Sequence, residues 1–172
     1  MRKTAPLSGI LILLAILSSA IAGYATPAAT PVRLAVVDFR ANGVPFHLGA
    51  GVAEMVRGRL VGVPGCTVLE RTQLAAVAAE HRLALSGLVD ERTAVKLGKL
   101  VGARYMLLGS VNGLGSVIAI SARLVDVETA VALAAFNVSS NDGENGLYAA
   151  SQTLGENIVM ELFGSPAPTP KE

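Results

Sequence analysis

The chain has 172 residues, 14 Lys+Arg against 13 Asp+Glu, 52% hydrophobic and 16% charged residues, and a mean hydropathy of +0.54. It is too apolar and too weakly charged for an intrinsically disordered chain, and a formal charge of +1 lacks the basic surface with which nucleic-acid binders displace phosphate counterions. Aromatic residues at 4% with no Trp argue against base-stacking platforms, and a single Cys excludes an internal disulfide and any multi-thiolate zinc site.

The N-terminus opens with cationic Met1-Arg2-Lys3, continues as the apolar run Ile10–Leu17, and reaches Ser18-Ser19-Ala20-Ile21-Ala22. That order of charge, apolar run and small residues, with Ala20 and Ala22 as an A-x-A site, reads as a cleavable secretory signal over residues 1–22. The apolar run is shorter than the roughly 20 residues of a spanning helix. No Cys follows it, so no lipid attachment is expected. Without residues 1–22, which include Arg2 and Lys3, 150 residues remain with 12 Lys+Arg against 13 Asp+Glu, a net charge of −1. Residues 23–31 (GYATPAATP) read as a flexible spacer and 164–172 (GSPAPTPKE) as a disordered Pro-rich tail. Residues 32–163 are left for one domain, with no internal repeat.

In chain order, Val32–Phe39 is a nearly continuous β-type run, as in a strand covered on both faces. Asn42-Gly43 and Pro45 break it. Leu48, Val52, Met55, Val56 and Leu60 recur at helical spacing and predict a helix over 47–61, ended by Val63-Pro64-Gly65. Cys66–Glu70 is a second short strand, and Leu74, Val77 and Ala78 mark a helix over 72–82 with Thr72 as its cap. Asp90 is the N-cap of a third helix with the stripe Ala94, Leu97, Leu100 and Val101, stopped at Gly102. Tyr105–Val111 is the third strand, and Asn112-Gly113 signals a tight hairpin. The fourth strand alternates, with Ile118, Ile120, Ala122 and Leu124 on one face and Ser121 and Arg123 on the other. Asp126–Ala130 turns into a fifth strand over 131–139. A last helix over 144–162 carries Leu147, Ala150, Leu154, Ile158 and Leu162. The order β-α-β-α-α-β-β-β-α predicts one α/β domain whose mixed sheet is sandwiched by helices, with parallel pairing among the first three strands.

The chain carries little that reads as chemistry. His47 and His81 lie apart, without H-x-x-x-H or H-E-x-x-H spacing. Ser110 has no nucleophile elbow around it, and Gly113-x-Gly115 precedes a strand, where a phosphate cradle needs a helix N-terminus. Asp38 ends the first strand, where open α/β sheets often place functional residues; an ion pair or cap is the preferred role, and catalysis the alternative. Glu70-Arg71 reads as a tie between a strand end and the next helix. Cys66 reads as a small buried apolar residue, with a bridge between two chains as the alternative. No catalytic residue, cofactor-binding residue, metal ligand or cofactor is assigned.

Several motifs occur together and in order: Ala35-Val36-Val37-Asp38-Phe39; Val68-Leu69-Glu70-Arg71-Thr72-Gln73-Leu74, then Glu80 and Leu85-Ser86-Gly87-Leu88-Val89-Asp90; Lys96-Leu97-Gly98-Lys99-Leu100-Val101-Gly102-Ala103-Arg104-Tyr105; Gly109-Ser110-Val111; and Arg123–Thr129. Across about 34–130 they resemble the curli production assembly/transport (CsgG-like) family, whose core is similar to the TolB N-terminal domain and to lipoprotein activators of penicillin-binding proteins. The resemblance implies a five-stranded mixed sheet of order 2-1-3-4-5 with strand 4 antiparallel, a Gram-negative envelope location, and protein partners in place of a reaction. It does not imply the family's pore. The chain has no lipid-attachment Cys, and 150 residues leave no room for membrane-spanning hairpins, whose strands need about 9–11 alternating residues each. The family's Thr-Gly turn is Thr129-Ala130 here, which predicts a longer turn because Ala resists positive φ. His81 stands where the family commonly has Gln.

The expectation is a non-enzymatic envelope protein-interaction module, exported to the periplasm, with partners of unspecified identity. Self-association and peripheral association with the outer membrane stay open. An accessory subunit of an outer-membrane secretion complex is the alternative, and a ligand-binding or hydrolytic enzyme built on Asp38 is a third. The expected contact surfaces are strand or helix edges and the Gly43-Val44-Pro45-Phe46 loop, although Phe46 is first expected to staple onto the following helix.

Overall fold

The computed structural model describes residues 30–83 and 90–164, and the fold below is that of the compact unit Pro31–Glu172. The expected signal at 1–22, most of the spacer, the tail beyond Gly164 and the Leu85–Val89 motif lie outside the described residues.

The β-branched run at the start forms β1 (Val32–Val36), which pairs in parallel with β3 (Cys66–Val68) on one side and β4 (Tyr105–Leu114) on the other. Two long antiparallel strands follow, β5 (Val117–Asp126) and β6 (Ala132–Ser140), giving the order β3-β1-β4-β5-β6. This is the expected five-strand order with the fourth principal strand antiparallel. A sixth short strand, β2 (Arg40–Asn42), pairs in parallel with the far half of β4.

Among the described residues four helices flank the sheet. On one face α1 (His47–Leu60) and α4 (Leu147–Phe163) bury Val52, Val56, Leu60, Leu154 and Ile158 against Leu34, Val36, Leu107, Ile120 and Leu124. On the other, α2 (Arg71–Glu80) and α3 (Glu91–Val101) bury Leu74, Ala78, Ala94 and Leu97 against Ala35, Met106 and Val125. Both faces of β1 are thus dry, which is why its sequence is apolar without alternation. Asp90 caps α3 as expected, accepting the Thr93 N–H at 2.8 Å, and Gly102 ends it at φ +66.

The structure corrects five expectations. The Val32–Phe39 strand is interrupted. Val36 pairs with Leu107 and Arg40 with Ser110, so three residues, Val37–Phe39, span an interval that holds two in β4. This is a bulge, with one residue left over. The hairpin is not at Asn112-Gly113. Those two residues pair with Ala119 and Ile118, and the chain reverses at Gly115-Ser116, where Gly115 has φ +63. The Asn-Gly pair is held in the strand because Asn42 donates to Asn112 Oδ1 at 2.7 Å and because Gly113 lies against the Gly43 carbonyl, where a Cβ would collide. Thr72 does not cap α2; the N-cap position is Glu70, with no side-chain cap bond. Leu100 is off the buried stripe of α3 and 41% exposed. The last helix is preceded by a 3-10 turn, Gly143–Gly146. The turn at Thr129-Ala130 is longer than two residues, as expected: Asp126 N–H donates to Val131 O at 2.9 Å, and Ala130 takes φ +59 nonetheless.

Candidate functional site

The bulge places Asp38 at the mouth of a cleft of about 480 Å³. Strand alternation explains the cleft. On the face covered by α2 and α3, Met106 and Leu108 of β4 are buried, but the next residues facing that way are Ser110 and Asn112. Their neighbours across the sheet are Ser121 and Arg123 of β5, Asn137 of β6, and Arg40 of β2. No helix among the described residues covers this half, so the polar side chains meet water. They bond among themselves: Asn112 Nδ2 donates to Ser110 Oγ at 3.0 Å and Ser121 Oγ to Asn137 Oδ1 at 2.9 Å. Arg123 pairs with Glu91 at 3.3 Å.

Asp38 is clamped from two sides. Arg71, the first residue of α2, donates Nε to Oδ1 at 3.0 Å and Nη2 to Oδ2 at 2.6 Å in a two-pronged pair. Its hydrogen bond to Asp38 pushes the Arg71 guanidinium up from its ordinary value. Arg57 of α1 lies 3.8 Å from the same carboxylate, donates to Val36 O at 3.0 Å, and pairs with Glu54. Arg57 is 4% exposed, and its Nε has no hydrogen-bond partner among the described residues. These contacts fix the bulge between the helices on both faces. The expected ion pair at Asp38 is present, its partners being Arg71 at the start of α2 and Arg57 of α1.

Asp90, also at the cleft, accepts the Thr93 N–H, which holds its carboxyl below the usual range. A general acid needs the opposite shift to that of Asp90. His47 begins α1 and His81 follows the end of α2, both exposed and on different elements. Cys66 begins β3, half-buried against the core, and burial pushes its thiol up, away from the nucleophilic thiolate. Among the described residues no group of three or more His, Cys, Asp or Glu could hold a metal ion.

A second feature lies where the loop between β2 and α1 rests on the end of β4. Phe46 is 75% exposed and does not staple onto α1, contrary to the expectation. It occupies the N-cap position in helical conformation, without a side-chain cap bond. A Cβ built on Gly113 would lie 2.9 Å from Val44, so this loop packs on the strand end that carries Leu114, itself 66% exposed. Sequence reading missed Arg57 and Arg40 as site residues. An Arg at 57, on the same side of the helix as Ala53 and Leu60, is the signal that could have shown the first. The second depended on a bulge that no residue pattern announced.

The family model described as curli production assembly/transport component CsgG matches residues 19–119. No curated protein sequence matches the chain. Among solved structures, the LpoB C-terminal domain from Escherichia coli is similar at 19% identity over 73% of this chain and 93% of that one, with a TM-score of 0.54. TolB from Acinetobacter baumannii matches at 15% identity and a TM-score of 0.57, over 80% of this chain but 29% of its own. A PelC dodecamer from Paraburkholderia phytofirmans, a single-substitution variant, matches at 16% identity and a TM-score of 0.54, over 78% and 90%. At these identities the likenesses show the shared fold.

Proposed function

We propose, from the premise that this chain belongs to the curli production assembly/transport (CsgG) family, that it is a non-enzymatic protein-interaction module of the Gram-negative cell envelope. The reading includes export to the periplasm through a cleaved signal at residues 1–22 and a folded domain over 32–163. The observation that carries it is Phe46, 75% exposed in the loop between β2 and α1. An aromatic side chain left three-quarters exposed, where it could have packed on its own helix, forfeits burial worth about 1.5–3 kcal/mol. A partner that covers it recovers that free energy and marks the loop as a contact surface. Asp38, already engaged by two arginines, and the capping Asp90 favour binding over acid–base chemistry.

The test is affinity purification of the exported chain from crosslinked envelopes, alongside a Phe46→Ser, Leu114→Ser variant. Both side chains are exposed, so the variant keeps the fold. A defined partner recovered with the native chain and reduced about tenfold or more with the variant supports the reading. Equal recovery from both rejects this surface, and a turnover activity that tracks Asp38 rejects the non-enzymatic assignment.

A further inference from the structure

The two edges of the sheet are unlike. β3 is three residues long, whereas β6 is nine, Ala132–Ser140, with the sequence ALAAFNVSS. That strand has no charge and no Pro, the devices that usually keep a long edge from pairing. Its one irregularity is the register shift opposite Leu124 and Val125, where Leu133 is the extra residue. This blunts only the start of the strand. Ala134–Ser140 stays regular against β5 and pairs with no other described strand.

Beside this edge runs a groove of about 460 Å³ between β6 and α4, lined by Val138, Ser140, Ala149 and Thr153. Helical spacing puts Met160 on the same side of α4 as Ala149 and Thr153, and Met160 is 52% exposed. Val131 and Leu133, at the other end of the strand, are 55% and 49% exposed. The strand edge itself is uncharged; the nearby carboxylates are Asp142 in the lining of the groove and Glu156 on this side of α4, the latter held by Arg59 at 3.7 Å.

The geometry points to a second copy of this chain as the occupant, docked antiparallel through β6 about a two-fold axis. With Phe136 opposite Phe136 of the second copy, Ala134 falls opposite Val138 and Ala135 opposite Asn137. Antiparallel self-pairing keeps like faces together. Ala134, Phe136 and Val138, each half-buried against the main core, meet the same three residues and extend that core through both copies. Ala135 and Asn137 meet on the open face without a like-charge contact. Strand pairing alone falls short of the roughly 1,200 Å² of a stable interface, and the small residues of α4 beside the groove let the second helix approach and supply the rest. The contact is isologous, so it closes at two copies. It does not involve the Phe46 end, and it stands or falls separately from the function proposed above.

The test is sedimentation of the full chain as purified, with two variants at exposed positions. The native chain dimerises at concentrations up to about 100 µM. Ala135→Lys with Asn137→Lys sets two lysines directly opposite in each half of the interface and weakens the dimer by about tenfold or more. Ala135→Lys with Asn137→Glu places opposite charges at the same crossing and restores most of the affinity, which a general loss of folding would not. Circular dichroism checks that each variant is folded. A native chain that stays monomeric at that concentration overturns the proposal, as does a dimer indifferent to the lysine pair or a larger closed ring.

Discussion

Ala130 holds φ +59, a conformation that costs a residue with a Cβ about 1 kcal/mol or more. It is held there because Asp126 organises the turn: Oδ1 accepts the N–H groups of Glu128 and Thr129 at 2.8 and 3.0 Å, and Oδ2 takes Arg104 at 2.8 Å. Ala130→Gly is therefore expected to raise stability by about 0.5–1 kcal/mol, measured by urea denaturation, with the fold unchanged. Burial by itself would raise the Asp126 carboxyl, but the Thr129 and Glu128 N–H groups and the Arg104 guanidinium outweigh it and hold it below the usual range. A carboxyl lowered in the folded state contributes stability that is full above its unfolded value, near 3.9, and is lost as pH falls through the lowered value. Asp126→Asn should accordingly be less stable than the native chain at pH 6, with the gap narrowing below about pH 4. A gap of constant size down to acid pH would show that the carboxyl's charge is not what holds the turn.

At the scale of elements, the bulge between β1 and β2 shapes the site, and two glycines allow it. Gly49 of α1 lies against the Phe39 carbonyl and accepts the Phe39 N–H at 3.3 Å; a Cβ there would strike that carbonyl. Gly109 of β4 lies under the Phe39 ring, where a Cβ would approach to 2.7 Å. Gly49→Ala is expected to cost about 1–3 kcal/mol in spite of the better helix propensity of Ala, because backbone must move. A gain in stability would mean that the helix does not press on the bulge. The type of the four helices and five principal strands was legible: the apolar periodicities of α1, α3 and α4 and the alternation of β5 name their elements and, Leu100 apart, the buried faces, whereas β2 and the 3-10 turn were missed. What was not legible were features decided by tertiary contact. Asn112-Gly113 carries the local signature of a turn, yet β2 pairs alongside and holds it in strand, so the reversal slips to Gly115. Val37–Phe39 continues a strand pattern, yet Arg57 and Arg71 pair with Asp38 and an extra residue is expelled. In both places long-range contacts outweigh local preference.

At the scale of the whole molecule, the order of elements together with the quoted motifs was sufficient for strand order and family. Among the described residues, helices close the sheet on one face and leave it half open on the other. A fold that reserves a polar half-sheet, an exposed loop aromatic and a long neutral edge has more surface available for recognition than its core requires. The candidate contact loop was visible in the sequence, but its state was not: whether Phe46 packs inward or stands out depends on how α1 meets β4. The central claim is that the Phe46 end is a contact surface for an envelope partner. A photoreactive residue at position 46, activated in intact cells, tests it most directly, with the exposed Lys96 position on α3 as a control. One discrete crosslinked adduct is expected from position 46 and none from position 96. Equal background from both positions, with the chain folded and exported, would contradict the claim.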